Sequence, residues 1–155
     1  MKRILIVYHS QAQGNTRRMA ELVAEGCRLS KGIAVELINV NEHRVDMKVA
    51  EKADAYALGS PDYFTLLAGG LKQFFDDILL ASRQNMNTLG KPYVAFLTHG
   101  GGGGAIKSID KLAEACKLQQ VAGNVLCKGA PEKAEDVEKA RALGAALAAY
   151  LTREA

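Results

Sequence analysis

The chain has no tryptophan, and cysteine and proline each occur only three times in 155 residues. Cys27, Cys116 and Cys127 show neither a CxxC pair nor metal-ligand spacing, which argues against a zinc module or a disulfide-rich secreted domain. No apolar run reaches the roughly 20 residues that a membrane-spanning helix needs, so we expect no membrane association. The apolar run near the N-terminus has no small-residue cleavage site after it, which predicts a cytoplasmic protein without a signal peptide.

Charge of one sign is not concentrated anywhere in the chain. Charged residues make up 24% of the sequence and the formal net charge is +3, without a dense tract of Lys and Arg. Because aromatic residues make up only 6%, the composition gives little support to nucleic-acid binding. The hydrophobic content of 48% and the length are typical of one globular domain, which we place at residues 1–155.

The most informative stretch of the chain lies between Lys2 and Ala24. Residues 4–8 form a short apolar run rich in β-branched side chains, which predicts a buried strand. A polar loop at residues 10–16 follows, and then Met19 and Val23 begin a helical pattern. A strand, a polar loop with a glycine and a helix N-terminus together offer backbone N–H groups and a partial positive charge. This arrangement predicts a phosphate site.

The loop has the chemistry of a site for a terminal phosphate monoester. No lysine follows Gly14 as the Walker pattern requires, and the loop lacks the three glycines of a dinucleotide fingerprint. Hydroxyl and amide side chains suit a dianionic group that accepts many hydrogen bonds. The alternative is an ordinary turn in which Asn15 or Thr16 only caps the helix. The candidate phosphate ligands are Ser10, Gln11, Gln13, Gly14, Asn15 and Thr16.

Strand and helix patterns alternate along the rest of the chain. Strands are predicted at residues 34–40, 54–59, 93–98 and 121–126, and helical segments at 47–53, from 69, at 105–117 and at 131–153. This alternation predicts an α/β fold of three layers, a parallel five-stranded sheet of order 2-1-3-4-5 with helices on both faces. In that order ligands bind at the carboxyl ends of strands 1 and 3. The chemically unusual loops at 10–16, 60–68 and 99–104 all reach this edge.

Two motifs resemble known flavoproteins. The pattern from Tyr8 to Thr16 is similar to YxSxxGNT, the phosphate loop of the flavodoxin family, with one additional residue between Ser10 and Gly14. The pattern from Gly59 to Asp76 resembles GxPxxF…GxxKxFxD in FMN-dependent NAD(P)H oxidoreductases, including quinone reductases of the tryptophan-repressor-binding-protein type. The resemblance implies a flavodoxin-like fold with FMN as cofactor, its 5′-phosphate in the first loop.

The second loop is then expected to hold the flavin ring. Tyr63 and Phe64 can supply a flat aromatic face, Pro61 fixes the loop, and Asp62 can approach the polar edge of the ring. In the alternative reading Phe64 belongs to the core and Tyr63 is a surface aromatic.

The glycine run after the fourth strand is the third expected contact. The resemblance implies that this loop touches the flavin ring, whereas the alternative is a flexible surface loop. Flavodoxins commonly stack an aromatic side chain from this loop on the ring, and the glycines here depart from that pattern, so we expect one face of the flavin to be open. His99 can hydrogen-bond the flavin or shuttle a proton, although a lone histidine is more often structural. The candidates here are His99, Gly100, Gly101, Gly102 and Gly103.

These observations predict an FMN-dependent NAD(P)H oxidoreductase that passes electrons to a quinone or a similar small acceptor. FMN would supply the chemistry, so we assign no catalytic side chain and no metal. The slightly basic net charge differs from the acidic character of electron-carrying flavodoxins. Two alternatives remain, a flavodoxin-type carrier with a redox protein partner and a binding module without cofactor. The apolar segment at 63–68 also predicts a homo-oligomer.

Overall fold

The computed structural model describes residues 1–153, in which a seven-stranded sheet lies between two layers of helices. The strands are β1 (Lys2–Tyr8), β2 (Ile33–Asn39), β3 (Ala55–Tyr63), β4 (Leu66–Leu67), β5 (Pro92–His99), β6 (Gln119–Gln120) and β7 (Val125–Lys128). The helices are α1 (Asn15–Cys27), α2 (Met47–Lys52), α3 (Gly69–Ser82), α4 (Ile106–Ala115) and α5 (Ala134–Thr152). None of the helices described over these residues has the length and apolar character needed to cross a membrane.

The order of the sheet confirms the predicted topology. Neighbouring strands run β2-β1-β3-β5-β6 and pair in parallel, and β7 also pairs in parallel with β5. The segments β6 and β7 are therefore two halves of the fifth strand, which gives the flavodoxin-like order 2-1-3-4-5. The short β4 pairs antiparallel with the end of β3.

The prediction of one continuous fifth strand at 121–126 was wrong. Val121 still donates its N–H to the carbonyl oxygen of Tyr93 at 3.1 Å, and residues 122–124 then interrupt the pairing between β6 and β7. Asp110 of α4 holds this break, because it accepts hydrogen bonds from Asn124 Nδ2 at 2.7 Å and from Tyr93 Oη at 2.8 Å. A polar network between a helix and a strand therefore outweighs the local preference for extended pairing.

Side chains of the sheet alternate between two cores. Leu5 and Val7 of β1 pack on the side of α2, α3 and α4, whereas Ile4 and Ile6 pack against α1 and α5.

Two glycines let α1 and α5 approach closely. A Cβ at Gly26 would lie 1.8 Å from the carbonyl oxygen of Arg141, and one at Gly144 would lie 1.9 Å from that of Val23. The three cysteines are free and buried in these cores, as predicted.

Three further boundaries differ from the predictions. The third strand continues through Pro61 to Tyr63, and residues 62–67, predicted as a loop, form a hairpin with β4. The last helix begins at Ala134 instead of residue 131.

The amino edge of the sheet is closed by a buried lysine. Lys91 Nζ donates to the carbonyl oxygens of Ala50, Glu51 and Ala53 at 2.5–2.9 Å, at the C-terminal end of α2. Its side chain is 7% exposed, and burial lowers its pKa from 10.5 to about 8. The hydroxyl of the fully buried Tyr56 donates to the carbonyl oxygen of Thr88 at 2.8 Å. The chain thus satisfies its own polar groups at this edge.

Candidate cofactor site

A cavity of about 590 Å³ lies at the carboxyl ends of β1, β3 and β5, where the predicted loops meet. This is the crevice in which doubly wound sheets bind ligands. Its lining includes most of the predicted site residues, namely Ser10, Gln11, Gln13, Gly14, Asn15, Thr16, Pro61, Asp62, Tyr63, His99 and Gly100. It also includes three residues that the sequence analysis did not propose, Ala12, Thr98 and Gly129.

The first loop presents unused donors beside the N-terminus of α1. Gly14 adopts the left-handed conformation at φ 74°, and its N–H donates to the carbonyl oxygen of Gln11 at 3.0 Å. Ser10 Oγ accepts the N–H of Arg17 at 3.1 Å in the first turn of the helix. Within residues 1–153 the backbone N–H groups of Ala12, Gln13 and Asn15 have no hydrogen-bond acceptor. They form a cradle of donors for an anion at the positive end of the helix.

Two asparagines at the carboxyl end of β2, Asn39 in its last position and Asn41 just after it, support this loop. Asn39 Oδ1 accepts the N–H of Ser10 at 2.9 Å, and Asn39 Nδ2 donates to the carbonyl oxygen of Ser10 at 3.0 Å. Asn41 Nδ2 donates to the same oxygen at 3.2 Å. The sequence analysis missed these supporting residues. The one feature of the sequence that could have indicated them was their position at the carboxyl end of the second strand, which lies beside the first strand in the predicted sheet.

A hydroxyl pair joins the first loop to β5. Thr16 Oγ1 and Thr98 Oγ1 lie 2.8 Å apart and both side chains are buried. Gly129, which follows β7, donates its N–H to the carbonyl oxygen of His99 at 2.9 Å. Thr98 was predicted only as the last residue of a strand, so its place at the edge that binds ligands was the signal for it.

The hairpin of β3 and β4 separates the two predicted aromatic contacts. Tyr63 lines the cavity, whereas Phe64 is 95% exposed at the turn and does not line it. Phe64 and Thr65 both have positive φ, 59° and 62°, as in a type I′ hairpin turn. Asp62 holds this turn, because its two carboxylate oxygens accept the N–H of Thr65 at 2.9 Å and the N–H of Ala105 at 3.1 Å.

The apolar segment predicted at 63–68 is covered only in part. Phe64 and Leu66 are exposed, whereas Ala68 is buried beneath the hairpin. The N–H of Leu67 donates to Ser108 Oγ at 2.9 Å, which fastens β4 to α4. The homo-oligomer expected from this segment stays a prediction.

The glycine run forms a wall without side chains. Gly100 lines the cavity, whereas Gly101, Gly102 and Gly103 do not. A Cβ built on any glycine from 100 to 102 would meet no atom within 4 Å, so no contact inside the described chain requires glycine there. His99 faces the cavity, and its buried Nδ1 has no hydrogen-bond partner among residues 1–153.

The lining fits the chemistry of FMN from one end to the other. The end formed by residues 10–16 offers N–H and hydroxyl donors and no carboxylate, which suits a dianionic phosphate monoester. Arg17 at this end is paired with Glu42 at 2.8 Å. The lining also includes Tyr63, Pro61 and Gly100, an aromatic ring and two residues with little side chain, which suits a flat ring.

Comparisons with known proteins agree with this geometry. The family model described as Flavodoxin matches residues 6–142. A flavodoxin of Aquifex aeolicus is 39% identical over 67% of this chain and 54% of its own length. The type A flavoprotein fprA of Rhodobacter capsulatus is 26% identical over 99% of this chain and 34% of its own length. The chain therefore spans about half of the first relative and about a third of the second.

A solved structure of a flavodoxin from the domain Archaea superposes with a TM-score of 0.83. It is 26% identical, and the match covers 96% of this chain and 98% of the archaeal one. The family match covers the three loops of the cavity as well as the sheet that positions them. The chain belongs to the flavodoxin family, whose cofactor is FMN.

Proposed function

We propose that this FMN-binding electron-transfer protein is an NAD(P)H-dependent oxidoreductase that reduces a quinone or a similar small acceptor. The glycine wall is the observation that carries this proposal. At Gly100, the residue of the run that lines the cavity, the chain places no side chain although there is room for one, and Gly101 and Gly102 after it add none. A wall of this kind leaves space for a second flat molecule next to the cofactor, as a reaction with a nicotinamide or a quinone requires.

The proposed reaction balances without a nucleophile or a metal. A hydride, two electrons and one proton, leaves NAD(P)H, and the quinone takes up two electrons and two protons to become the hydroquinone. The second proton comes from solvent. FMN supplies the redox chemistry when it is bound, and the protein holds it and keeps one side accessible.

The charge of the chain favours small anionic substrates over a basic protein partner. The formal net charge is +3. A positive protein attracts the pyrophosphate of NAD(P)H at long range, whereas a carrier that docks on basic partners gains from negative charge.

A flavodoxin-type carrier is the second candidate function. It is favoured by the names of the similar proteins, since the Aquifex aeolicus relative and the archaeal structure are both flavodoxins. A carrier passes electrons between redox proteins and does not itself oxidise NAD(P)H.

Anaerobic oxidation of NADH and NADPH by the purified protein with FMN and a benzoquinone tests the proposal. We expect the nicotinamide absorbance to fall at a rate proportional to protein concentration, and hydroquinone to form in equal amount. If neither nucleotide is oxidised, while a separate flavoprotein reductase reduces the bound FMN, the protein is a flavodoxin-type carrier and the proposal is wrong. The same protein without quinone shows whether FMN accepts electrons from the nucleotide directly.

A pair of glycine variants tests the glycine wall. Gly100→Leu adds a side chain at the cavity, and Gly123→Leu adds one at a distant glycine that also has open space. We expect Gly100→Leu to lower kcat/KM for NAD(P)H about tenfold while FMN remains bound, and Gly123→Leu to leave it unchanged. Equal rates in the two variants would remove the wall as the basis of the proposal.

A further inference from the structure

His9 is a buried histidine that the proposed reaction does not use. It follows β1 directly and is only 6% exposed. Its Nδ1 accepts the N–H of Gly70, in the first turn of α3, at 3.2 Å. A ring nitrogen that accepts a hydrogen bond carries no proton, so the ring is neutral and its proton lies on Nε2. Nε2 is buried and has no hydrogen-bond partner within residues 1–153.

The imidazole supports the aromatic wall of the cavity from behind. The rings of His9 and Tyr63 are 6.1 Å apart with planes at 87°, an edge-to-face contact. Tyr63 lines the cavity, whereas His9 does not. His9 therefore touches the candidate FMN site only through Tyr63.

The space around the imidazole is filled by backbone. A Cβ at Gly70 would lie 2.7 Å from His9 Nδ1 and 2.5 Å from the carbonyl oxygen of Val40. The start of α3 can approach the ring this closely only because residue 70 is glycine. Close packing of this kind leaves the ring one orientation, with Nδ1 toward the helix.

Protonation of His9 at Nδ1 would oppose the hydrogen bond to Gly70 that fixes the ring beside Tyr63. A proton on Nδ1 would face the N–H of Gly70, donor against donor, and would place a cation at the positive end of α3. The imidazole contacts the N–H of Gly70 and the phenol ring of Tyr63, and the backbone N–H of His9 donates to the carbonyl oxygen of Gly59. Tyr63 is the one titratable side chain among them, and no charged side chain offsets the burial that lowers the pKa of His9.

We propose that His9 is a positioning residue whose neutral form holds Tyr63 on the cavity wall, so that protonating His9 weakens FMN binding. The inference rests on FMN binding in this cavity and is independent of the electron donor. By linkage the effect is reciprocal, and bound FMN lowers the pKa of His9 further. If only the neutral form binds, the dissociation constant rises by the reciprocal of the neutral fraction, tenfold when about a tenth of His9 is neutral.

An NMR titration of the wild-type protein gives the first test. The chain has three histidines, and the exposed His43 serves as an internal control. We expect the pKa of His9 to be lower in the FMN complex than in the cofactor-free protein. A pKa of His9 that FMN leaves unchanged would overturn the proposal without any variant.

The second test compares FMN binding by the wild type and by His9→Asn at a series of pH values from 7.5 downward. Quenching of FMN fluorescence measures the binding. Asparagine keeps an acceptor for the N–H of Gly70 but does not titrate. The phosphate of FMN itself titrates near pH 6, so the ratio of the two dissociation constants is the quantity to follow.

We expect the ratio of the dissociation constant of the wild type to that of His9→Asn to rise as the pH falls. The expected factor is the reciprocal of the fraction of neutral His9 that the NMR titration gives at each pH. A constant ratio with normal FMN binding overturns the role of His9 alone. An absence of FMN binding by wild type at every pH overturns the cofactor site together with it.

Discussion

At the amino edge of the sheet, Lys91 donates hydrogen bonds to carbonyl oxygens at the C-terminal end of α2. Tyr56 donates to a carbonyl oxygen in the segment before β5. At the carboxyl edge, the backbone N–H groups of Ala12 and Gln13 line the cavity and find no acceptor within residues 1–153. Both edges are built from the same parallel strands. They differ in whether the chain supplies partners for its own polar groups.

The difference separates what stabilises the fold from what binds. A buried polar group that is paired contributes to stability, whereas an exposed donor that the chain leaves unpaired is available to a ligand. The amino edge is closed, so substitutions there should change stability and leave FMN affinity alone. The carboxyl edge keeps donors in reserve, so substitutions there should change affinity more than stability.

The largest effect is expected from Lys91→Met at the closed edge. The variant leaves the carbonyl oxygens of Ala50, Glu51 and Ala53 without their donor, so we expect a loss of about 2–3 kcal/mol in the free energy of unfolding. Urea denaturation of the cofactor-free protein measures it. The exposed Lys48→Met is the control, expected within about 0.5 kcal/mol of wild type. A tenfold loss of FMN affinity in Lys91→Met would contradict the separation of the two edges.

Lys91 also makes the stability of the closed edge depend on pH, and Lys91→Met removes that dependence. Burial holds the pKa of Lys91 at about 8, below the value of 10.5 for a free lysine. Between these pH values the unfolded chain binds more protons than the folded one, so wild-type stability gains with rising pH. We therefore expect the deficit of Lys91→Met to be larger at pH 10 than at pH 7.5. A deficit that shrinks over this range would show that the folded state binds the proton more tightly.

At the open edge, two glycines provide a matched comparison. Gly14 and Gly90 both have φ of 74° and open space around the Cβ position, but only Gly14 lines the cavity. We expect Gly14→Ala and Gly90→Ala each to lose about 1–2 kcal/mol of stability. Gly14→Ala alone should weaken FMN binding, about tenfold, because relief of the strain turns the donor groups away. Equal FMN affinity in the two variants would show that the conformation of Gly14 does not serve the cofactor.

The parts of the molecule that could be predicted depend on local pattern. The strand at the start of the chain, the polar loop and the helix after it are neighbours in sequence, so their arrangement follows from hydrophobic periodicity. Parallel strands place all their carboxyl ends at one edge, which brings loops that are distant in sequence into one cavity. This is why residues as far apart as Ser10, Pro61 and His99 were predicted together correctly.

The missed features depend on contacts that no local pattern records. Asn39 supports Ser10 across 29 residues of sequence, and Asp110 interrupts the fifth strand through Asn124. The hairpin turn is the clearest case, because Phe64 and Thr65 are poor residues for positive φ and would not be predicted there. Hydrogen bonds of Asp62 and Ser108 to the hairpin override that preference.

The smallest effect is expected at this strained turn, and it tests whether the open edge keeps strain as well as donors. Thr65→Gly removes the cost of a β-branched residue at φ 62°, so we expect a gain of about 0.5–1 kcal/mol, reduced by the greater freedom of glycine in the unfolded chain. Lys117→Gly, at φ 58° after α4, relieves similar strain far from the cavity and should gain as much.

Only Thr65→Gly should also change FMN affinity. We expect the change to be less than threefold, because glycine keeps the backbone N–H of residue 65 that donates to Asp62. Urea denaturation and FMN titration of the two variants measure both quantities. A loss of stability in Thr65→Gly would mean that the methyl and hydroxyl groups of Thr65 contribute more than the backbone strain costs. The turn would then be held by packing of the Thr65 side chain beside Gly104 as well as by Asp62. A Cβ built on Gly104 would lie 3.7 Å from that side chain.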